Sequence, residues 1–142
     1  MDWNTGELIF MDYGDDAPFM TYGVANPDGT LRHEVDIELA GPRLPHDLGF
    51  TTHYTILHAL PFFHDMKVLR NHNMRVLNFH HDMPSRFGVI PRYGDAREIR
   101  WFDCEPCFIL HVSNCWEDGD WITMDGCRSI NPMPNAANEE GA

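Results

Sequence analysis

Apolar residues in this chain recur mostly at every second position, and that period restricts the fold to sheet architectures. Side chains on a strand alternate between two faces, so a period of two marks a strand with one buried side. Val35, Ile37 and Leu39 alternate with Glu34, Asp36 and Glu38, the pattern of a strand with one wet face. Further short strands are expected at residues 7–11, 19–24, 54–57, 74–77, 87–90, 99–102 and 121–124, with a buried strand at 107–112. Turn chemistry separates them. Asn26-Pro27-Asp28-Gly29 combines a preset φ with a residue that tolerates positive φ, residues 92–96 form a hairpin loop, and Glu117-Asp118-Gly119-Asp120 turns the chain again. Residues 64–73 fit either a helical turn or a loop. Strands at this spacing, joined by Gly/Asp turns, predict a sandwich, a barrel or a propeller. The polar, Pro-containing stretch 131–142 reads as a connection, and strand signals start within a few residues of Met1, so neither end is expected to be a finished domain edge.

Composition narrows the functional classes. The chain has 142 residues, 43% of them hydrophobic, which is enough for one buried core. No apolar run approaches the ~20 residues that cross a bilayer, and the first residues lack the basic and apolar segments of a secretory signal. A formal charge of -12, with Lys67 as the single lysine, repels phosphate and argues against nucleic acid as a partner. The four cysteines, Cys104, Cys107, Cys115 and Cys127, do not read as a disulfide scaffold, so a reducing compartment, the cytoplasm, is expected. Nine histidines raise the expectation of a metal site.

The sharpest local pattern is Cys104-x2-Cys107-x3-His111-x3-Cys115, near the spacing of a small zinc-binding interaction module. The intervening residues oppose it. Phe108-Ile109-Leu110 suits a strand, in which Cys107, His111 and Cys115 would be spread by roughly 13 Å between neighbours. Cys104 and Cys107 can still approach each other across Pro106, which alone makes no zinc site. The plainer reading makes the cysteines small buried apolar groups, His111 a core histidine and His46 a loop imidazole. No nucleophile elbow, phosphate loop or HExxH helix is present.

Two segments resemble the carotenoid cleavage oxygenase family, which includes lignostilbene dioxygenases and the retinoid isomerase of the eye. His46-Asp47-Leu48-Gly49-Phe50-Thr51-Thr52-His53-Tyr54-Thr55-Ile56 is similar to the family's His-Asp-Phe-x-x-Thr-x-x-Tyr-x-Ile segment. The second resemblance runs from Ser85 to Arg92, through Ile99-Arg100-Trp101-Phe102, and from Glu105 through His111 to Trp116-Glu117. Thr5-Gly6-Glu7-Leu8 resembles a segment that closely follows another ligand histidine. Leu48 departs from a usual aromatic, His53 from a common Asn, and Leu110 from a frequent aromatic.

The resemblance implies an all-β fold, with residues 1–142 forming about two blades of a seven-bladed β-propeller. It implies catalytic non-haem Fe(II) on the propeller axis, held by four histidines, of which His46 and His111 match two. Imidazole suits Fe(II), and an open position takes O2 beside a conjugated double bond. The implied reaction cleaves a carotenoid or apocarotenoid to two carbonyl products. A stilbene is the alternative substrate within the family. Leu44 and Leu110 flank the two histidines and are expected to line an apolar substrate tunnel. The remaining ligands and the glutamates that orient them are expected outside this stretch, so the chain alone is expected to be inactive. Peripheral membrane contact by the longer protein is left open, since nothing in these residues shows it.

Overall fold

The computed structural model describes residues 1–74 and 76–132. Most of the stretch read as a connection, residues 133–142, therefore lies outside the described residues, as does Arg75 in the strand expected at 74–77. Among the described residues there are eleven strands, as the period-two reading expects, with one α-helix and one short 3-10 turn. β1 (Leu8–Tyr13), β2 (Phe19–Ala25) and β3 (Leu31–Glu38) form an antiparallel three-stranded sheet. The Asn26–Thr30 turn joins β2 to β3, with Gly29 at φ +84° closing it. β4 (Gly49–Phe50), β5 (Tyr54–Ala59), β8 (Ser85–Pro91) and β9 (Arg100–Cys104) form a second antiparallel sheet in the order β4-β5-β8-β9. Between β5 and β8 the chain makes a small excursion. β6 (Phe62–His64) pairs with β7 (Leu77–Phe79) across α1 (Met66–His72). β10 (Phe108–Asp118) and β11 (Trp121–Ser129) then pair as a long hairpin.

The segment left open between helix and loop is helical. Asp65 caps it by accepting from the N–H groups of Lys67 and Val68, and Asn73 ends it in the left-handed region at φ 52°. The strand expected at 74–77 begins only at Leu77. β10 is longer than the buried strand expected at 107–112, and its side chains are mostly half-buried or exposed, Ile109 excepted. It is an edge of the described structure on one side, which explains why its apolar stretch is not enclosed.

The core lies between the first two sheets. Ile9, Met20, Tyr22, Val24 and Ile37 from the first pack against Leu57 and Ile90 from the second. Polar groups fasten the same contact. The Tyr22 hydroxyl meets Thr55 Oγ1 at 2.8 Å and donates to the Arg92 carbonyl at 2.7 Å. The Arg92 side chain is 4% exposed and reaches back to the chain's beginning, with Asp2 at 2.7 Å and Glu7 at 3.0 Å. Its guanidinium also donates to the Thr51 carbonyl. Two carboxylates around one buried guanidinium compensate its desolvation.

The β10–β11 hairpin stacks on the other face of the second sheet. Gly49 marks the closest approach: a methyl group there would sit 2.6 Å from Cys115 Sγ and 3.3 Å from Met124 Sδ. This packing brings the loop before β4 against the middle of β10, where the two singled-out histidines lie.

Candidate metal centre

His46 sits on the loop 40–48, which is held from both ends. Pro45 is fully buried, and the Leu44 N–H donates to the Phe62 carbonyl at 3.0 Å. Asp47 does the remaining fastening with one carboxylate. Its Oδ1 accepts from the Leu48 N–H at 2.9 Å, and its Oδ2 accepts from the Val112 N–H at 2.8 Å. The second bond ties the loop to β10 at the residue after His111. Two register irregularities in β10, between Ile109 and Val112 and between Val112 and Asn114, free that N–H from the ladder. Bulges of this kind re-aim side chains, so the strict alternation expected from Cys107 through His111 to Cys115 does not hold.

The result is a pair of imidazoles. The His46 and His111 ring centres are 5.1 Å apart with an interplanar angle of 72°. Both residues are exposed. His111 Nδ1 stands 3.9 Å from Asp47 Oδ2, too far for a hydrogen bond. An ion about 2.1 Å from one nitrogen of each ring lies roughly 3.3 Å from each ring centre, which puts two neighbouring ligand rings about 4.7–5.4 Å apart. The observed separation falls inside that range, so the donor pair fits an imidazole-bound metal. Leu44 is half-buried beside His46, and Leu110 is exposed beside His111.

The zinc-type set is not assembled. Among the described residues no group of three or more His, Cys, Asp or Glu side chains is placed to hold an ion. Cys107 is buried next to Cys104, Cys115 packs on Gly49, and His111 turns toward His46 instead. The reading of the cysteines as buried apolar groups holds for Cys107 alone, since Cys104 and Cys127 are exposed and Cys115 is half-buried.

Four further features were not anticipated. His58 is fully buried, packs its ring edge-on against Phe87 at 5.2 Å, and has no hydrogen-bond partner for either ring nitrogen. Burial pushes its pKa down to about 4, against the opposing pull of the Asp47 carboxylate. Its position was readable only from β5 alternation, which puts Tyr54, Ile56 and His58 on one face. Glu117 clasps His53, accepting from its backbone N–H at 2.9 Å and meeting its ring at 2.8 Å. Burial opposes the Glu117 charge, but the Thr51 hydroxyl and both His53 contacts outweigh it and hold the carboxyl at about 2. Asp47 itself adjoins His46 in sequence, and that adjacency was the one available signal for its role. A cleft of about 1070 Å³ opens between the second sheet and the hairpin, lined by Tyr54, Phe87, Val89, Trp121 and Met124 among others. Neither histidine of the pair lines it.

Known proteins carry the same segment. The family model described as retinal pigment epithelial membrane protein matches residues 1–141. A carotenoid 9,10(9',10')-cleavage dioxygenase 1 of Pisum sativum is 37% identical over 129 residues, covering 90% of this chain and 24% of the relative. The Crocus sativus carotenoid 9,10(9',10')-cleavage dioxygenase is 36% identical over 140 residues, covering 96% and 26%. The crystal structure of the Pseudomonas brassicacearum lignostilbene dioxygenase superposes with a TM-score of 0.78 at 28% identity, covering 87% of this chain and 26% of that one. The chain thus spans about a quarter of the length of the relatives it matches. It belongs to the retinal pigment epithelial membrane protein family, that of the carotenoid cleavage oxygenases, and is a piece of that family's all-β propeller.

Proposed function

We propose that the longer protein containing these residues is a non-haem Fe(II) dioxygenase that cleaves a conjugated C=C bond of a carotenoid or apocarotenoid. The observation that carries this reading is the His46–His111 pair, two imidazoles at ligand spacing with unengaged rings, held by Asp47. The carotenoid-cleaving activity printed for the Pisum and Crocus relatives supports the reaction class. Iron(II), when bound, supplies a site at which O2 is activated beside the double bond. Both oxygen atoms end in the two carbonyl products, so no external reductant is needed.

The residues of this chain contribute position rather than proton transfer. His46 and His111 are neutral donors that leave the ion its full charge. Asp47 fixes the separation of the two strands of backbone that carry them. Leu44 and Leu110 put apolar surface beside the pair, which favours a polyene and excludes water. The remaining ligands are assigned to the longer protein, and its setting is taken as cytoplasmic. A stilbene-cleaving reaction is the second reading, supported by the lignostilbene dioxygenase likeness.

The test uses the full-length protein. Elemental analysis should find iron, and His46→Ala or His111→Ala should each lower its content by roughly tenfold or more. Incubation with a β-apocarotenal and with a hydroxystilbene should release aldehydes from the first, and release from the second alone would select the stilbene reading. Cleavage of neither, or zinc held stoichiometrically by residues around Cys104, would sink the proposal.

A further inference from the structure

The connection from β9 to β10 carries a Cys-x-x-Cys sequence, Cys104-Glu105-Pro106-Cys107, that plays no part in the histidine pair. Ser85 organises it. Ser85 is fully buried and is the cross-strand partner of Cys104 in the β8–β9 ladder. Its hydroxyl accepts from the Cys107 N–H at 2.8 Å and donates to the Cys107 carbonyl at 2.9 Å. One serine therefore pairs with the first cysteine through the sheet and with the second through its side chain. Cross-strand partners share a face, so the Cys104 side chain lies on the side of the sheet where the Ser85 hydroxyl holds Cys107.

Their surroundings differ. Cys104 is exposed, whereas Cys107 is 2% exposed. Arg128, on β11, pairs with Glu105, between the two cysteines, at 3.2 Å. An accessible thiol with a shielded one three residues on suits dithiol–disulfide exchange through a mixed disulfide.

We propose that Cys104 and Cys107 form a redox site that is reversibly oxidised to an intramolecular disulfide by small-molecule disulfides such as glutathione disulfide. The Cys104 thiolate attacks the small disulfide, forming a mixed disulfide and expelling one thiolate. Cys107 then attacks the Cys104 sulfur and expels the second. Two protein thiols and one disulfide thus become one protein disulfide and two small thiols, with electrons balanced. Burial, and then the neighbouring Cys107, raise the Cys104 pKa, so the first step accelerates as pH rises. The bond would close a small ring where the chain leaves the second sheet and enters the strand bearing His111. This inference does not depend on the iron reading.

The experiment equilibrates the full-length protein in glutathione buffers of increasing potential, quenches with N-ethylmaleimide, and digests with trypsin. All four cysteines fall on one peptide, residues 101–128, because no Lys or Arg interrupts it. The expected result is that two of the four labels are lost together, with fragment masses placing the loss at Cys104 and Cys107. Cys104→Ser, at an exposed position, should restore the missing label at Cys107, and Cys107→Ser should leave glutathione attached to Cys104. Cys115→Ser and Cys127→Ser should change nothing at the pair. Full labelling at every potential, a glutathione adduct that persists on Cys104 in the unaltered protein, or pairing with Cys127 would overturn the proposal.

Discussion

At the scale of single residues, two side chains carry opposite electrostatic burdens. His58 is a fully buried imidazole whose nitrogens have no partner, and its pKa of about 4 lies below the ordinary 6.5. Between those values the unfolded chain binds a proton that the folded chain refuses, so stability falls as pH drops from 6.5 toward 4. His58→Leu removes both orphaned nitrogens and that proton linkage. The variant should lose less melting temperature than the unaltered protein between about pH 7 and pH 5; an equal loss would show that His58 is not the acid-sensitive group. Asp47 is the contrasting case. Its carboxylate accepts the Val112 N–H at 2.8 Å, and Asp47→Ala leaves that donor unsatisfied. A cost of about 1–3 kcal/mol is expected, measurable by denaturant titration of the full-length protein. Iron content should fall with it, because the loop bearing His46 is no longer tied to β10.

At the scale of elements, the alignment of the β10–β11 hairpin on the second sheet decides whether the two histidines meet. Gly49 permits that alignment because it has no Cβ to strike Cys115. Gly49→Ala should lower stability by about 1–3 kcal/mol, and adding Cys115→Ala should recover part of the loss, since the sulfur is the nearest atom at 2.6 Å. A double variant no better than the single one would mean that backbone, rather than the sulfur, sets the limit. Glu117 clasps the same two elements from the other end through His53. Its pKa of about 2 lies below the ordinary 4.5, so its contribution is present above pH 4.5 and is lost as pH falls toward 2. Glu117→Gln should flatten the stability profile across that window. Strands and turns were legible in the sequence because alternation and Gly/Asp turn chemistry are local. The bulges flanking Val112 were not, because they arise from pairing with β11 around Gly126. Nor was the burial of His58, which depends on a facing sheet. The histidine pair itself was legible only through family resemblance, since spacing alone favoured the Cys/His reading that the bulged strand then dispersed.

At the scale of the whole molecule, the β1–β3 sheet, the four-stranded sheet and the β10–β11 hairpin stack in sequence order, and the hairpin at one end presents only two strands. Unpaired strand edges invite association. Residues 1–142 expressed alone should therefore self-associate in light scattering and turn over no β-apocarotenal, while the full-length protein does. A monodisperse, active preparation of the short chain would contradict both statements.

The buried guanidinium of Arg92 has a consequence in time as well as in space. Its carboxylate partners, Asp2 and Glu7, are made well before it, and the bond to Glu7 spans 85 positions. At about 5–20 residues per second, the first sheet waits several seconds during synthesis before its counter-ion exists. Until then Glu7 has only Arg32 of its own sheet as a cation, and Asp2 lacks its Arg92 partner. The β1–β3 sheet is thus locked long after its own strands are made, when one arginine closes its contact with the second sheet.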